Sequence, residues 1–166
     1  NQKFKFLKKN TFLPDLGASP GGWSQVASKI ITSGKILSID IKKMEPIQNV
    51  KFVNSDIFNQ KTKEIIQAFF GKELDVVISD MAADTTGNKS LDCIRTNQLC
   101  AEVINLSRKI LKKNGVIVSK LFMGEDFLEV KQKAKSLFKD VFFYKPESSK
   151  NESKETYLHC KNLKAL

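Results

Sequence analysis

The chain has 166 residues, of which 41% are hydrophobic and 28% charged, and its formal net charge is +10. This length and composition predict one globular domain, and no apolar run approaches the roughly 18 residues that a bilayer span requires. Three scattered cysteines provide neither a disulfide framework nor the ligand spacing of a zinc site. We therefore expect a cytoplasmic protein with no bound metal.

The excess of basic residues predicts an anionic partner, with nucleic acid favoured over an acidic membrane. Only Arg95 and Arg108 are arginine among the 28 lysine and arginine residues. Lysine offers point charges that suit phosphates, whereas the reading of base edges depends more on the forked guanidinium group of arginine. The composition therefore favours contact with a folded nucleic-acid backbone, and a solvated lysine-rich surface without a partner is the alternative.

Short strand-like runs alternate with helical patterns along the chain. The strands are predicted at 11–16, 35–39, 51–53, 74–79, 115–122, 140–144 and 155–160, and the helices at 22–32, 61–70, 92–113 and 125–138. This alternation predicts an α/β domain with a mostly parallel sheet and helices on both faces. A polar excursion at 145–154 takes the place of a crossover helix before the last strand. Pro14 conflicts with a central first strand, which should be bulged there or lose its pairing just before Asp15.

The first predicted strand leads into a turn of small residues, DLGASPGGW at 15–23. The spacing of Gly17, Gly21 and Gly22 differs from the G-x-G-x-x-G pattern of dinucleotide-binding turns. Pro20 also removes an N–H group that a pyrophosphate could use. The glycines still allow a ligand to approach the backbone closely. The turn therefore favours a bulky cofactor without a phosphate bridge and disfavours a nicotinamide-dependent dehydrogenase.

Three aspartates follow successive predicted strands, at the rim where open α/β sheets bind ligands. Asp40 is placed to accept hydrogen bonds from ribose hydroxyls, and Asp56 from an exocyclic amine. Singly, such an aspartate is more often a turn or cap residue. Together with Asp80 and the glycine turn, they predict an adenosine site without phosphates. Because Asp80 or Asp15 would attract a sulfonium ion, the expected cofactor is S-adenosylmethionine.

Lys120 lies in the otherwise apolar strand VIVSKLF, where its charge is costly to desolvate without a partner. One interpretation is that its ammonium group reaches solvent at the end of the strand. The other is that it faces the same rim as Asp80, with Glu155 reaching the same place from the start of the last strand. Two carboxylates would favour the charged form of Lys120, which is a poor base. A second lysine nearby would lower the pKa of Lys120 again, but the sequence shows no evident candidate.

Together these motifs resemble those of the FtsJ family of ribosomal RNA 2′-O-ribose methyltransferases. DLGASPGGWSQ is similar to the family's D-L-G-A-x-P-G-G-W-S-Q turn, and SDMA, KLF-x-G and the C-terminal KPESSKNESKETY follow in the family's order. The resemblance covers nearly the whole chain and implies a single methyltransferase domain, 1–166. It implies a Rossmann-like fold whose seven-stranded, mostly parallel sheet has an antiparallel last strand.

The resemblance also implies where the cofactor binds. Gly21 and Trp23 would hold the methionine end of S-adenosylmethionine, Asp40 the ribose and Asp56 the adenine, and Asp80 would lie near the methyl group. The remaining residues expected at this site are Asp15, Gly17, Pro20 and Gly22, from the same turn.

The family's catalytic tetrad is lysine–aspartate–lysine–glutamate, and Asp80, Lys120 and Glu155 match its last three members. The first lysine lies on an N-terminal helix ahead of the glycine turn, at a spacing that falls before Asn1 of this sequence. This difference supports a second hypothesis, a catalytically weak RNA- or ribosome-binding module that retains the fold.

The family's target is a uridine of large-subunit ribosomal RNA, so the implied partner is that RNA, within the assembled large subunit. Lys145, Lys150 and Lys154 are expected to bind its phosphates beside the cleft. We expect a monomer with no membrane partner.

Overall fold

The computed structural model describes residues 4–165. In chain order the elements are β1 (Phe12–Leu16), α1 (Gly22–Ile30), β2 (Lys35–Asp40), β3 (Val50–Asn54), α2 (Gln60–Phe70), β4 (Leu74–Ser79), α3 (Lys89–Ile110), β5 (Leu111–Phe122), α4 (Phe127–Leu137), β6 (Phe138–Tyr144) and β7 (Glu155–Leu163). Within that range, none of the helices has the length and hydropathy needed to cross a bilayer.

The strands form one seven-stranded sheet in the order β3-β2-β1-β4-β5-β7-β6. Strands β1 to β5 pair in parallel, whereas β7 is antiparallel to both of its neighbours, β5 and β6. The expected Rossmann-like sheet with an antiparallel last strand is therefore confirmed. The excursion at 145–154 connects an edge strand, β6, to an inner strand, β7.

Both faces of the sheet are covered, as the nearly continuous apolar runs of the strands indicate. On one face, α2, α3 and α4 bury the larger part of the core, including Ile66, Val103 and Ala134. On the other face, Ala27 of α1 packs in a smaller cluster that Val118 of β5 borders. Because side chains alternate along a strand, Lys120 points to the same face as Val118, the face that carries α1.

Pro14 is accommodated without the bulge or the early loss of pairing that its sequence position suggests. Strand β1 pairs with β2 in unbroken register from Phe12 to Leu16, whereas its pairing with β4 starts only at Asp15. On the β4 side, the N–H of Phe12 donates to the side chain of Asp75 at 2.8 Å. Backbone N–H groups of alternate residues in a strand point to the same neighbouring strand, so an N–H at position 14 would point to β4, as that of Phe12 does. Because β1 and β4 pair only from Asp15 onwards, Pro14 costs the sheet no hydrogen bond.

Helix α3 ends earlier than its apolar spacing predicts. It stops at Ile110, and Leu111 is already extended, although the sequence predicts a helix to 113. Leu111 pairs with Leu74 of β4, and Lys112 Nζ lies 2.6 Å from an aspartate oxygen of the same strand. These contacts start β5 early, and the pair Asn114-Gly115 lies at an irregularity within the β4–β5 pairing instead of ending the helix.

Gly34 precedes β2 at a point where the chain passes closely against Thr11. A Cβ added at Gly34 would lie 1.9 Å from the carbonyl oxygen of Thr11, whereas one added at Gly22 would meet nothing within 4 Å. Gly34→Ala should therefore lower the free energy of unfolding by about 1–3 kcal/mol, and Gly22→Ala should change it by no more than about 0.5 kcal/mol. Urea denaturation measures both, and equal effects would show that the approach to Thr11 is not limiting.

Candidate active site

The turn after β1 brings its backbone close to neighbouring loops and leaves no room for side chains at two positions. Gly17 has a φ of +72°, and a Cβ there would lie 2.1 Å from Cγ of Met81. Gly21, the N-cap of α1, has a φ of +114°, and its Cβ would lie 3.0 Å from Ile47. Glycine is required at both positions, because left-handed backbone is strained for other residues.

A cavity of about 600 Å³ opens beside this turn, at the carboxyl ends of the parallel strands. Its ionisable lining residues are the acids Asp40, Asp56, Asp80, Asp84 and Glu102 and the bases Lys42 and Arg95. Lys42 is already paired with Asp84, at 3.6 Å. The excess of carboxylates disfavours a phosphate-bearing ligand and favours a cation. The cavity therefore fits the positively charged cofactor expected from the sequence.

Asp40 and Asp56 hold turns as well as lining this cavity. The two carboxylate oxygens of Asp40 accept from the N–H groups of Ser19 and Lys42, at 2.9 and 2.8 Å. Asp56 Oδ1 accepts from the N–H of Phe58 at 2.9 Å. Because a carboxylate has about four lone-pair sites, these turn bonds leave capacity for ligand hydroxyls or amines.

Asp15 is fully buried at the end of β1, outside the cavity lining. Its Oδ2 accepts from Ser24 Oγ at 2.6 Å, and that hydroxyl lies 2.5 Å from Ser38 Oγ. Its Oδ1 has no hydrogen-bond partner within residues 4–165. Burial raises the pKa of Asp15 to about 7, despite the bond from Ser24, and the charges of nearby aspartates add to the rise. Asp15 therefore supports the turn through Ser24, and contact of its carboxyl with a cationic ligand stays a prediction.

Lys120, Asp80 and Glu155 meet where β4 and β5 end and β7 begins. Lys120 Nζ lies 3.2 Å from Asp80 Oδ1 and 3.4 Å from Glu155 Oε2, and the lysine side chain is 14% exposed. The ammonium group therefore does not escape to solvent, and its desolvation is offset by two carboxylates. Within the part of the chain that the structure describes, Lys120 is the lysine that pairs with either acid.

Tyr157 joins this cluster, although the sequence motifs predict no role for it. Its hydroxyl lies 3.0 Å from Asp80 Oδ1 and 3.2 Å from Glu155 Oε1. Burial and these two carboxylates raise the pKa of Tyr157 far above its ordinary value, so the hydroxyl stays protonated and acts as a donor. The two-residue period of a strand, which places Tyr157 on the same face as Glu155, is the sequence signal that could have found it.

The remaining turn residues lie outside the lining of the large cavity. They are Pro20, Gly21, Gly22 and Trp23, whereas Gly17 borders the cavity directly. Trp23 instead lines a second cavity, of about 430 Å³, together with Tyr157 and His159. The hydrogen bond between Asp80 and Tyr157 connects a lining residue of one cavity to a lining residue of the other. Contact of Gly21 and Trp23 with the methionine end of a cofactor stays a prediction.

The three lysines expected to bind RNA differ in their surroundings. Lys145 Nζ donates to two carbonyls of its own loop, that of Ser153 at 2.6 Å, so this side chain ties the loop 145–154 together. Lys150 and Lys154 are exposed on that loop. The Lys154 carbonyl accepts from the N–H of Met123, which anchors the loop at the end of β5. The loop therefore lies beside the Lys120 cluster, and RNA binding by its lysines stays a prediction.

No group of three or more His, Cys, Asp or Glu residues within 4–165 is arranged to hold a metal ion. An open α/β sheet with one antiparallel strand, a glycine turn and an acid-rich cavity at the strand ends is the architecture of a Rossmann-like methyltransferase.

Comparison with known proteins identifies the family. Residues 1–163 match the model of the family described as FtsJ-like methyltransferase. It is 45% identical to the ribosomal RNA large subunit methyltransferase E of Pelagibacter ubique, over 99% of this chain and 81% of that relative. The Rickettsia felis protein of the same name is 46% identical, over 98% of this chain and 74% of that relative. The chain therefore belongs to the FtsJ-like methyltransferase family.

Solved structures show the same fold. A Plasmodium falciparum protein described as a ribosomal RNA methyltransferase superposes with a TM-score of 0.85 at 29% identity, over 98% of this chain and 91% of that chain. Human methyltransferase-like protein 13, solved in complex with SAH, has a TM-score of 0.66 at 16% identity, over 95% of this chain and 77% of that chain. At 16% identity, the second likeness concerns the fold alone.

The raised pKa of Asp15 should make the protein less stable as the pH rises from about 4 to about 7. Because the carboxyl has a pKa of about 7 when folded and an ordinary value of 3.8, the folded protein holds a proton in this window that the unfolded chain has released. The unfolding free energy should then fall by up to about 1.4 kcal/mol per pH unit.

Asp15→Asn removes this titration, so the stability of the variant relative to the unmodified protein should rise between about pH 4 and about pH 7 in urea unfolding. Glu64→Gln, which removes an exposed carboxylate from α2, is the control. A stability difference between Asp15→Asn and the unmodified protein that does not change with pH would contradict the assignment.

Proposed function

We propose that this chain transfers the methyl group of S-adenosylmethionine to the ribose 2′-hydroxyl of a uridine in large-subunit ribosomal RNA. The observation that carries the proposal is the partly buried ion-paired cluster of Lys120 with Asp80 and Glu155, beside an acid-rich cavity. The relatives' name, ribosomal RNA large subunit methyltransferase E, supports large-subunit RNA as the substrate class. The uridine, the assembled subunit as substrate and a monomeric enzyme are further parts of the proposal, based on the family resemblance.

The cavity residues would hold the cofactor. S-adenosylmethionine, when bound, supplies an electrophilic methyl group on a sulfonium centre. Asp40 would accept from the ribose hydroxyls and Asp56 from the adenine amine, in addition to their turn bonds. Asp15 would support the turn from behind through its bond with Ser24, while Gly17 allows the backbone to approach the ligand. The other turn residues, Pro20, Gly21, Gly22 and Trp23, would border the methionine end.

The ion-paired cluster would prepare the acceptor. A ribose hydroxyl has a pKa far above 7, so its attack on the methyl group requires orientation and a proton acceptor. Lys120 would steer the hydroxyl as an ammonium group, or accept its proton as the neutral amine, while Asp80 would hold Lys120 in place and Glu155 would help to hold the hydroxyl. A fixed cation beside the oxygen also stabilises the negative charge that develops there as its proton leaves.

The basic surface would hold the RNA. Lys150 and Lys154 are exposed on the loop anchored beside the cluster, and Lys145 would contribute its charge there while bracing the loop. Lysines bind phosphates as point charges and without base selection, which suits a folded RNA substrate recognised by its shape.

A catalytically weak RNA- or ribosome-binding module is the alternative. The net charge of +10 and the exposed side chains of Lys150 and Lys154 fit this alternative as well. Incubation of the chain with labelled S-adenosylmethionine and large ribosomal subunits separates the two hypotheses. Label found on ribose supports the enzyme, and subunit binding without transfer supports the module. Mapping of methylated riboses in cells with and without the gene then identifies the nucleotide.

Lys120→Ala should lower the rate of methyl transfer at least about 100-fold, because it removes the group that orients the acceptor. The dissociation constant of S-adenosylmethionine should change by no more than about twofold, since Lys120 is absent from the cavity lining. Single-turnover methylation and isothermal titration measure the two quantities.

Lys112→Ala is the matched control for Lys120→Ala. Lys112 is also on β5 and is also ion-paired, at 2.6 Å from Asp75, but it lies near the opposite end of the strand. Its loss should leave the methylation rate nearly unchanged. Undiminished turnover of Lys120→Ala on ribosomal subunits would remove Lys120 from the mechanism.

Asp40→Ala should raise the dissociation constant of S-adenosylmethionine about tenfold or more, because a charged acceptor for the ribose is lost together with the bond to Ser19. Asp40→Asn, which keeps one acceptor oxygen, should have a smaller effect. Glu73→Ala controls for net charge, because it removes an exposed carboxylate just before β4, at the end of the strands opposite to Asp40. An unchanged constant for Asp40→Ala in isothermal titration would show that the ribose assignment is wrong.

A further inference from the structure

We infer that Tyr157 is a positioning residue for methyl transfer: its hydroxyl holds the carboxylates of Asp80 and Glu155 in the arrangement that aims the Lys120 ammonium group. The inference rests on the proposed function, which uses the other three side chains and leaves Tyr157 without a role.

The register of the sheet places these four side chains together. Tyr157 of β7 lies directly opposite Lys120 of β5, and Glu155 is two residues before Tyr157 on the same face. Asp80 follows β4, the other neighbour of β5. The contacts form a closed ring, in which each carboxylate touches both the ammonium group and the hydroxyl, at distances of 3.0 to 3.4 Å.

The charges of the ring explain why a neutral donor is needed in it. Two carboxylates beside one ammonium group leave an excess negative charge, and like charges so close to each other repel. The hydroxyl of Tyr157 lies between the acids and donates its proton to Asp80 or to Glu155. Because burial and the two carboxylates raise the pKa of Tyr157, the hydroxyl keeps that proton and orients the acids without taking part in proton transfer.

Asp80 Oδ1 is the atom on which the positioning depends. It receives Lys120 Nζ at 3.2 Å and the Tyr157 hydroxyl at 3.0 Å, from two strands of the sheet. Two donors that converge on one oxygen restrict rotation of the carboxylate about its last side-chain bond. Without the hydroxyl, Asp80 is free to turn, and Lys120 loses the fixed partner that determines its direction.

The ring of Tyr157 is held independently of its hydroxyl. It packs against the indole of Trp23, with centroids 5.4 Å apart and planes inclined by 43°. Tyr157→Phe should therefore retain the packing and remove only the hydrogen bonds. Tyr144 is the other tyrosine of the chain and lies beside Tyr157 on β6, so Tyr144→Phe removes a hydroxyl from the same rung of the sheet without touching the ring of contacts.

Single-turnover methylation of large ribosomal subunits tests the role in the reaction. Tyr157→Phe should lower the rate at saturating cofactor and RNA about 10- to 100-fold, because it removes hydrogen bonds to the charged groups that aim Lys120. The KM values for both substrates should stay nearly unchanged, since these bonds affect the chemical step and not substrate binding. Tyr144→Phe should stay within about twofold of the unmodified enzyme. An unchanged rate for Tyr157→Phe, or an increase of its KM values without a fall in rate, would overturn the inference.

A double-mutant cycle on stability tests the hydrogen bond without any enzyme activity. Urea unfolding of Tyr157→Phe, Asp80→Asn and the double variant should give a coupling of about tenfold in the unfolding equilibrium constant. Additive effects would overturn the inference. If the unmodified chain transfers no methyl group, the proposed function fails, whereas the cycle still decides whether Tyr157 positions Asp80.

Discussion

The site depends on the burial of one ammonium group in an apolar strand. Lys120 is 14% exposed and occupies a sheet face that α1 otherwise covers with apolar side chains, so its charge requires partners from both neighbouring strands. Strand β4 supplies Asp80 where it ends, and β7 supplies Glu155 where it begins. An antiparallel β7 is what makes this possible, because its first residue then pairs with the last residue of β5. In a parallel β7, Glu155 would instead lie beside the amino-terminal end of β5, away from Lys120.

The charge of the molecule is divided between two tasks. The whole chain carries +10, whereas the cavity at the strand ends is lined by five acids and two bases. The acidic cavity attracts a small cation at short range, whereas the net positive charge of the whole protein attracts a polyanion. S-adenosylmethionine and ribosomal RNA have these opposite requirements, and Asp80 lies where the two would meet, between the cavity and the Lys120 cluster.

Much of the site was evident in the sequence because its motifs are local. The glycines, the aspartates that follow β2, β3 and β4, and Lys120 each occupy a recognisable position relative to one strand. The packing of Trp23 against Tyr157 and the bond from Tyr157 to Asp80 were not evident, since these contacts join residues far apart in the chain. The internal bonds of Lys145 depend on the path of its loop, and the early end of α3 depends on pairing with β4.

The sequence by itself determined the class of fold, the order of elements, the family and the positions of the acidic and glycine residues. These features follow from hydrophobic spacing and turn residues, which depend only on residues close together in the chain. Only the tertiary structure decided which side chains touch. Insertion of an antiparallel β7 beside β5 sets a register in which Lys120 lies opposite Tyr157, and a shift of β7 by one residue would move Tyr157 to the other face of the sheet. That register follows from the packing of the whole sheet, which no single segment specifies.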